Sequence, residues 1–116
     1  MNIKEIQALM YDDLTREADE NRQRPISRRP DNVELFALTH FILEHENFKG
    51  AWESVADLIN YLYESQVVVF PRYHSDSPGY VGPVFIILWG AGPTSMTIIG
   101  YNKDERALTI LADYGG

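Results

Sequence analysis

Acidic residues are unevenly placed along this chain. Thirteen of its seventeen Asp and Glu residues fall before position 67, and only four lie in the last fifty residues. The acidic part has apolar positions recurring every three or four residues, the period of helix. The remainder has short β-branched runs between turn residues, the pattern of strands. A chain divided in this way must lay the apolar stripes of its helices against a sheet. The expected result is a two-layer α+β domain with negative charge on the outer side of the helices. At 116 residues this is one domain, 1–116, in which about two thirds of the unfolded surface is buried.

The first helix is expected over about residues 3–21, with Ile3, Ile6, Met10 and Leu14 as its apolar stripe and Asp13, Glu17 and Glu20 on another face. Asp12 with Arg16, and Glu20 with Arg24, stand at i,i+4 for ion pairs of about 0.3–0.5 kcal/mol each. Residues 21–30 form a basic loop between the first and second helices. It holds Arg22, Arg24, Arg28 and Arg29, broken by Pro25 and Pro30, and is the candidate hinge. Asp31 and Glu34 have capping-box spacing at the start of the second helix. Val33, Leu35, Phe36, Leu38, Phe41, Ile42 and Leu43 cover most of its circumference, so it should be the most buried helix, ending at Lys49-Gly50. The third helix is expected over about residues 51–65. Trp52, Val55, Ala56, Ile59, Leu62 and Tyr63 make its apolar face, and Glu53, Asp57, Asn60 and Glu64 the opposite, acidic stripe.

Four strands follow. Residues 67–70 form the first, where Pro71 favours a sheet edge or a strand end. A polar loop spans 72–82. Residues 84–89 are apolar throughout and suit a central strand. Residues 96–101 and 107–112 flank the turn Asn102-Lys103-Asp104-Glu105, and short connections make the last three strands an antiparallel meander.

The chain has no cysteine, which removes disulfides, thiolate metal sites and a cysteine nucleophile. Its net charge of −7 opposes the approach of free nucleic acid or an anionic membrane and favours a partner with a basic surface. The same charge also keeps a small domain in solution. No apolar run reaches membrane-spanning length, and Met1-Asn2-Ile3-Lys4-Glu5 lacks the basic start and apolar stretch of a secretory signal. The expectation is a soluble, cytoplasmic protein, in the host cytoplasm if phage-encoded.

Residues with catalytic or metal-binding chemistry are present but poorly arranged. His40 and His45 bracket Glu44, yet at five residues apart they point about 140° from each other on a helix and cannot clamp one ion. His74, Ser75, Asp76 and Ser77 are hydrolase residue types, but adjacent residues do not converge into a nucleophile, base and orienter. Gly90-Ala91-Gly92-Pro93-Thr94-Ser95 leads into a strand rather than a helix, so it reads as a hairpin loop and not a phosphate cradle. The four arginines of 21–30 suit phosphate, but the acidic flanks favour neutralisation within the chain. No catalytic residue, metal or cofactor is expected.

Pro83-Val84-Phe85-Ile86-Ile87-Leu88, then Ile98-Ile99-Gly100-Tyr101, a charged turn, and Leu108-Thr109-Ile110-Leu111 resemble the sheet of the staphylococcal uracil-DNA glycosylase inhibitors over about thirty residues. That family also carries helices and an acidic face imitating DNA. The resemblance implies a class of activity and assigns no residue role.

These observations lead to a non-enzymatic binding protein, an inhibitor or anti-defence factor of a mobile element. Its acidic helices would occupy a basic groove on a nucleic-acid-handling protein. The expected partner-binding residues are Glu53, Asp57 and Glu64, then Asp13, Glu17 and Glu20, with Tyr73 and Tyr80 as aromatic anchors. Three alternatives stand beside this reading, of which the first uses the same acidic surface. The first is an immunity or antitoxin-like module. The second is a small-molecule binder or enzyme using Tyr73, His74 and Asp76 of the 72–80 loop. The third is a homodimer or larger homo-oligomer, joined through the strand-67 edge or an aromatic patch.

Overall fold

The computed structural model describes residues 1–48, 50, 52–75, 79–90 and 95–115. Within them the order is α1 (Ile3–Glu20), α2 (Asn32–Glu44), a 3-10 turn (Glu46–Phe48), α3 (Val55–Glu64), β1 (Gln66–Ser75), β2 (Tyr80–Leu88), β3 (Met96–Asn102) and β4 (Ala107–Tyr114). The strands form one antiparallel meander in the order β1-β2-β3-β4, preceded by the helices, as the α+β reading expected. No described helix is long and apolar enough to cross a membrane.

Caps set the helix starts. Asn2 accepts from the Glu5 N–H at 2.8 Å to begin α1. Asp31 and Glu34 form the reciprocal capping box of α2, and Ser54 caps α3 by accepting from the Asp57 N–H at 3.1 Å. The helices lie on one face of the sheet. Met10 and Leu14 of α1, Leu35, Leu38 and Ile42 of α2, and Leu58 and Leu62 of α3 enclose a single core with Val67, Val69, Phe85, Ile87, Ile99, Tyr101 and Leu108.

Several sequence expectations change here. α2 stops at Glu44 rather than at Gly50, because His45 turns to extended backbone and a 3-10 turn follows. Gly50 does take a positive φ of 84°, whereas Lys49 lies outside the described residues. α3 starts at Val55, leaving Trp52 and Glu53 before its cap. Its buried side chains are Leu58 and Leu62, while Val55, Ala56 and Tyr63 face solvent, so the predicted apolar stripe is rotated. The expected ion pairs are also exchanged. Arg16 meets Asp13 at 3.0 Å, and Asp12 instead meets Arg106 of the β3–β4 turn at 3.2 Å. Arg24 lies beyond the end of α1, where its N–H donates to the Asn21 carbonyl.

The segment read as a polar loop from residue 72 is largely strand. Tyr73, His74 and Ser75 pair with Gly82, Val81 and Tyr80, and one extra residue in β1 is absorbed between Phe70 and Tyr73, where Pro71 sits. Proline cannot donate to a ladder, so an edge strand with a bulge is where it fits. The basic loop covers part of that edge: Arg28 and Val69 exchange backbone hydrogen bonds of 3.0 and 2.7 Å.

Tyr80 closes the other face of the sheet. The paired register of β2 and β3 ends at Phe85 and Ile99, and Pro83 has no N–H to continue it. The Tyr80 hydroxyl enters the gap, donating to the Pro83 carbonyl at 2.9 Å and accepting from the Tyr101 N–H at 3.3 Å. Its ring lies so close to Gly82 and Gly100 that a Cβ there would come within 3.0 and 3.2 Å of it, and at Gly82 within 2.7 Å of the hydroxyl. Glycine at these two positions makes the close approach possible.

Candidate functional site

Three regions gather polar or aromatic groups. The first is the exposed side of α3. Asp57 and Glu64 stand seven residues apart, two helical turns and about 10 Å along the axis on one face. Glu53 precedes the cap. All three are exposed, and among the described residues their carboxylates take part in no ion pair or hydrogen bond.

The second region is a cleft of about 390 Å³ between α1 and α2, lined by Asp13, Arg16, Glu17, Glu20, Arg28, Asp31 and Glu34 among others. Arg28 organises it. Its Nε and Nη2 donate to Glu17 at 3.0 Å, and its Nη1 and Nη2 donate to Glu34 at 2.8 and 2.9 Å. Nη1 also donates to the Arg29 carbonyl. Glu34 is 4% exposed, and its Oε1 also accepts from the Asp31 N–H at 2.9 Å. The hydrogen bond to Glu34, followed by that to Glu17, holds the guanidinium pKa far above its ordinary value, against the opposing effect of burial. Burial, with the negative charge of Glu34 and the presence of Tyr80 behind it, likewise raises the Tyr101 phenol well above its usual range. The Tyr101 hydroxyl is enclosed without a hydrogen-bond partner.

This arrangement corrects the reading of α1. Glu17 is held by Arg28 in a half-buried pair and Asp13 by Arg16 in an exposed one, so both carboxylates already have a cation beside them, whereas Glu20 stays exposed. The folded-back arginine was not visible in the helical spacing, because Arg28 and Glu17 are eleven residues apart. The chain's general tendency to neutralise its own basic loop was visible. Tyr80, expected as an exposed aromatic anchor, is instead 7% exposed with its hydroxyl engaged inside the sheet. Tyr73 is half-buried against Phe70, ring centroids 5.8 Å apart. Asp76 and Ser77 lie outside the described residues, as do 91–94 of the glycine-containing loop.

The third region was missed at the level of sequence. Phe41, His45, Phe48, Trp89, Tyr61 and Trp52 form a continuous run of ring contacts, with Tyr61 and Trp89 nearly parallel at 5.8 Å. Beside them opens a cleft of about 510 Å³ lined by Tyr61, Glu64, Ser65, Gln66, Leu88, Trp89, Gly90 and Ser95. That volume is in the range of small-ligand sites. Aromatic rings beside a carboxylate are suited to a planar or cationic group. The only signal in the sequence was the number of aromatics flanking the acidic positions.

A hydrogen-bond relay orients Trp89. Its Nε1 donates to Thr97 Oγ1 at 2.7 Å, and Thr97 Oγ1 donates to Asp113 at 2.8 Å. Thr97→Val keeps the shape but removes the relay, leaving the indole N–H and a carboxylate without their partner. The expected destabilisation is about 1–2 kcal/mol, with a change in tryptophan emission of the folded protein, both read from denaturant unfolding followed by fluorescence.

His40 packs on Phe36 with ring centroids 4.4 Å apart, while His45 caps the end of α2 and accepts from the Asn47 N–H through Nδ1. Among the described residues no three His, Asp or Glu side chains are grouped to hold a metal. Comparison with protein-family models, with curated proteins and with solved structures gave no match, so the resemblance of the meander to the glycosylase inhibitors stands on strand pattern alone.

Proposed function

We propose that this chain is a non-enzymatic protein-binding module whose α3 surface docks onto a basic surface of a nucleic-acid-handling protein, acting as an inhibitor of the kind mobile elements carry. The observation that carries this reading is the set of exposed carboxylates at Glu53, Asp57 and Glu64, which form no ion pair among the described residues. Carboxylates already paired inside the molecule have little to offer a partner, since a new ion pair must first break the old one. Those on α3 carry no such cost. Glu64 also lines the aromatic cleft, where Tyr61 and Trp89 can flank an incoming Arg or Lys side chain. Such a contact combines a charged rim, which steers and orients, with an aromatic anchor, which excludes water.

The test compares the native chain with Glu53→Lys/Asp57→Lys/Glu64→Lys in capture from a host lysate, followed by mass spectrometry and measured affinity for the captured protein. A basic, nucleic-acid-handling partner is expected, with affinity for the variant reduced about tenfold to hundredfold and a weaker dependence on salt. Equal affinity of both chains for the captured protein removes α3 from the interface and overturns the reading.

A further inference from the structure

The face of the sheet opposite the helices is apolar and carries no charge along two neighbouring rows, one at the end of the sheet, with Lys103 standing over Tyr80 towards the other end, Nζ 5.4 Å from the ring centre; no described helix covers it. Residue partners define those rows. Gln66, Leu88, Met96 and Tyr114 are in register across all four strands, as are Val68, Ile86, Ile98 and Ala112. Phe70, Tyr73, Ile86, Met96, Leu111 and Ala112 pack around Tyr80, Val84 and Ile98 in a cluster to which only sheet residues contribute. Leu88 is 37% exposed and Tyr114 52%. A sheet with one face in water normally alternates apolar with polar residues. Here both faces are apolar, in a protein whose net charge is −7.

We propose that this face is a self-association surface, occupied by the same face of a second copy to form a two-fold symmetric, face-to-face sheet dimer. Charge selects that occupant. A basic partner seated on these rows would leave its cations desolvated and unpaired, a cost of several kcal/mol. Two apolar rows without charge are complementary to another pair of their kind, and this chain supplies one; Lys103 belongs to the β3–β4 turn and not to the rows. Self-repulsion is also small in this arrangement. The acidic helices point outward on opposite sides, separated by two sheets packed about 10 Å apart and by further side-chain layers, beyond a Debye length of about 8 Å.

The area is sufficient. Four strands about 4.8 Å apart and about seven residues long, at about 3.3 Å per residue, present roughly 400 Å² of projected face. Two corrugated faces then bury about 1,000 Å² or more, the level at which specific interfaces begin. Gln66 and Leu88 of this face also line the aromatic cleft, whereas Tyr114 does not, so Tyr114→Lys tests dimerisation apart from the proposed function, and either reading can fail without the other.

The test is the solution mass of the full chain by sedimentation or light scattering up to about 100 µM. The expected result is a rise from 13.3 kDa towards twice that value. Leu88→Lys and Tyr114→Lys change side chains that are already well exposed, so folding should survive, which circular dichroism checks. Each is expected to raise the dimer midpoint concentration at least tenfold. A one-chain mass throughout the range overturns the proposal. So does a dimer whose midpoint both folded variants leave within about twofold, because the copies would then meet elsewhere.

Discussion

Arg28→Met is expected to lower stability by about 3 kcal/mol or more, the penalty for leaving a buried carboxylate without its counter-ion. Most of it should come from Glu34, whose side chain is 5% exposed, and less from Glu17 at 28%. The backbone bridge from Arg28 to Val69 does not involve the side chain and should persist. For a domain of this size the loss corresponds to a fall in melting temperature of about 15 °C. The second variant Arg28→Met/Glu34→Gln separates charge from packing. The amide can still accept from the Asp31 N–H in the capping box, so at least half of the lost stability should return. A denaturant midpoint for Arg28→Met within about 0.5 kcal/mol of the native value would show that the guanidinium contributes no net stability.

Tyr80→Ala is expected to cost about 3–5 kcal/mol, because the ring filling the space over Gly82 and Gly100 and the hydroxyl bridging β2 and β3 are lost together. Tyr80→Phe isolates the hydroxyl and should cost about 1–3 kcal/mol, since the Pro83 carbonyl and Tyr101 N–H are left inside without a partner. The same residue makes the fold sensitive to alkali. Burial pushes the Tyr80 phenol up to about 12, against an ordinary value of 10. The folded state therefore holds the neutral phenol more strongly than the unfolded state does. Its contribution is fully present below pH 10 and is lost as the pH rises through about 12. Tyr101, shifted in the same direction by burial, adds to the effect. Unfolding free energy measured from pH 9 upward should decline in step with phenolate absorbance, and Tyr80→Phe should flatten part of that decline. A native profile flat to pH 12 would remove both tyrosines from the account.

Sequence reading succeeded where a few neighbouring residues decide the structure. The Asp31–Glu34 box, the start of α1 and the antiparallel meander all follow from contacts within about four residues or from short turns. It erred where propensity was continuous and a cap decided the outcome. The apolar pattern of 51–65 allowed a long helix, but Ser54 starts α3 at Val55 and rotates the face it buries. It also erred at residues 72–75, where polar side chains suggested a loop although Gly82, Val81 and Tyr80 stood ready as partners. Polarity speaks for exposure, and an edge strand is exposed without ceasing to be a strand.

By itself, then, the amino-acid order determined the class of fold, the order of its elements, the net charge of −7 and the concentration of acids in the helices, because each depends on composition or on short-range periodicity. Which acids remain available was decided only in three dimensions. Arg28 reaches Glu17 and Glu34 across a turn of chain, Arg106 reaches Asp12 from 94 residues away, and among the described residues Asp57 and Glu64 of α3 form no ion pair, although Arg29 comes close enough to donate to the Tyr63 carbonyl. Helical spacing constrains neighbours three and four residues apart. It carries no information about which distant side chain folding will bring alongside, and that proximity separates a structural carboxylate from one free to bind.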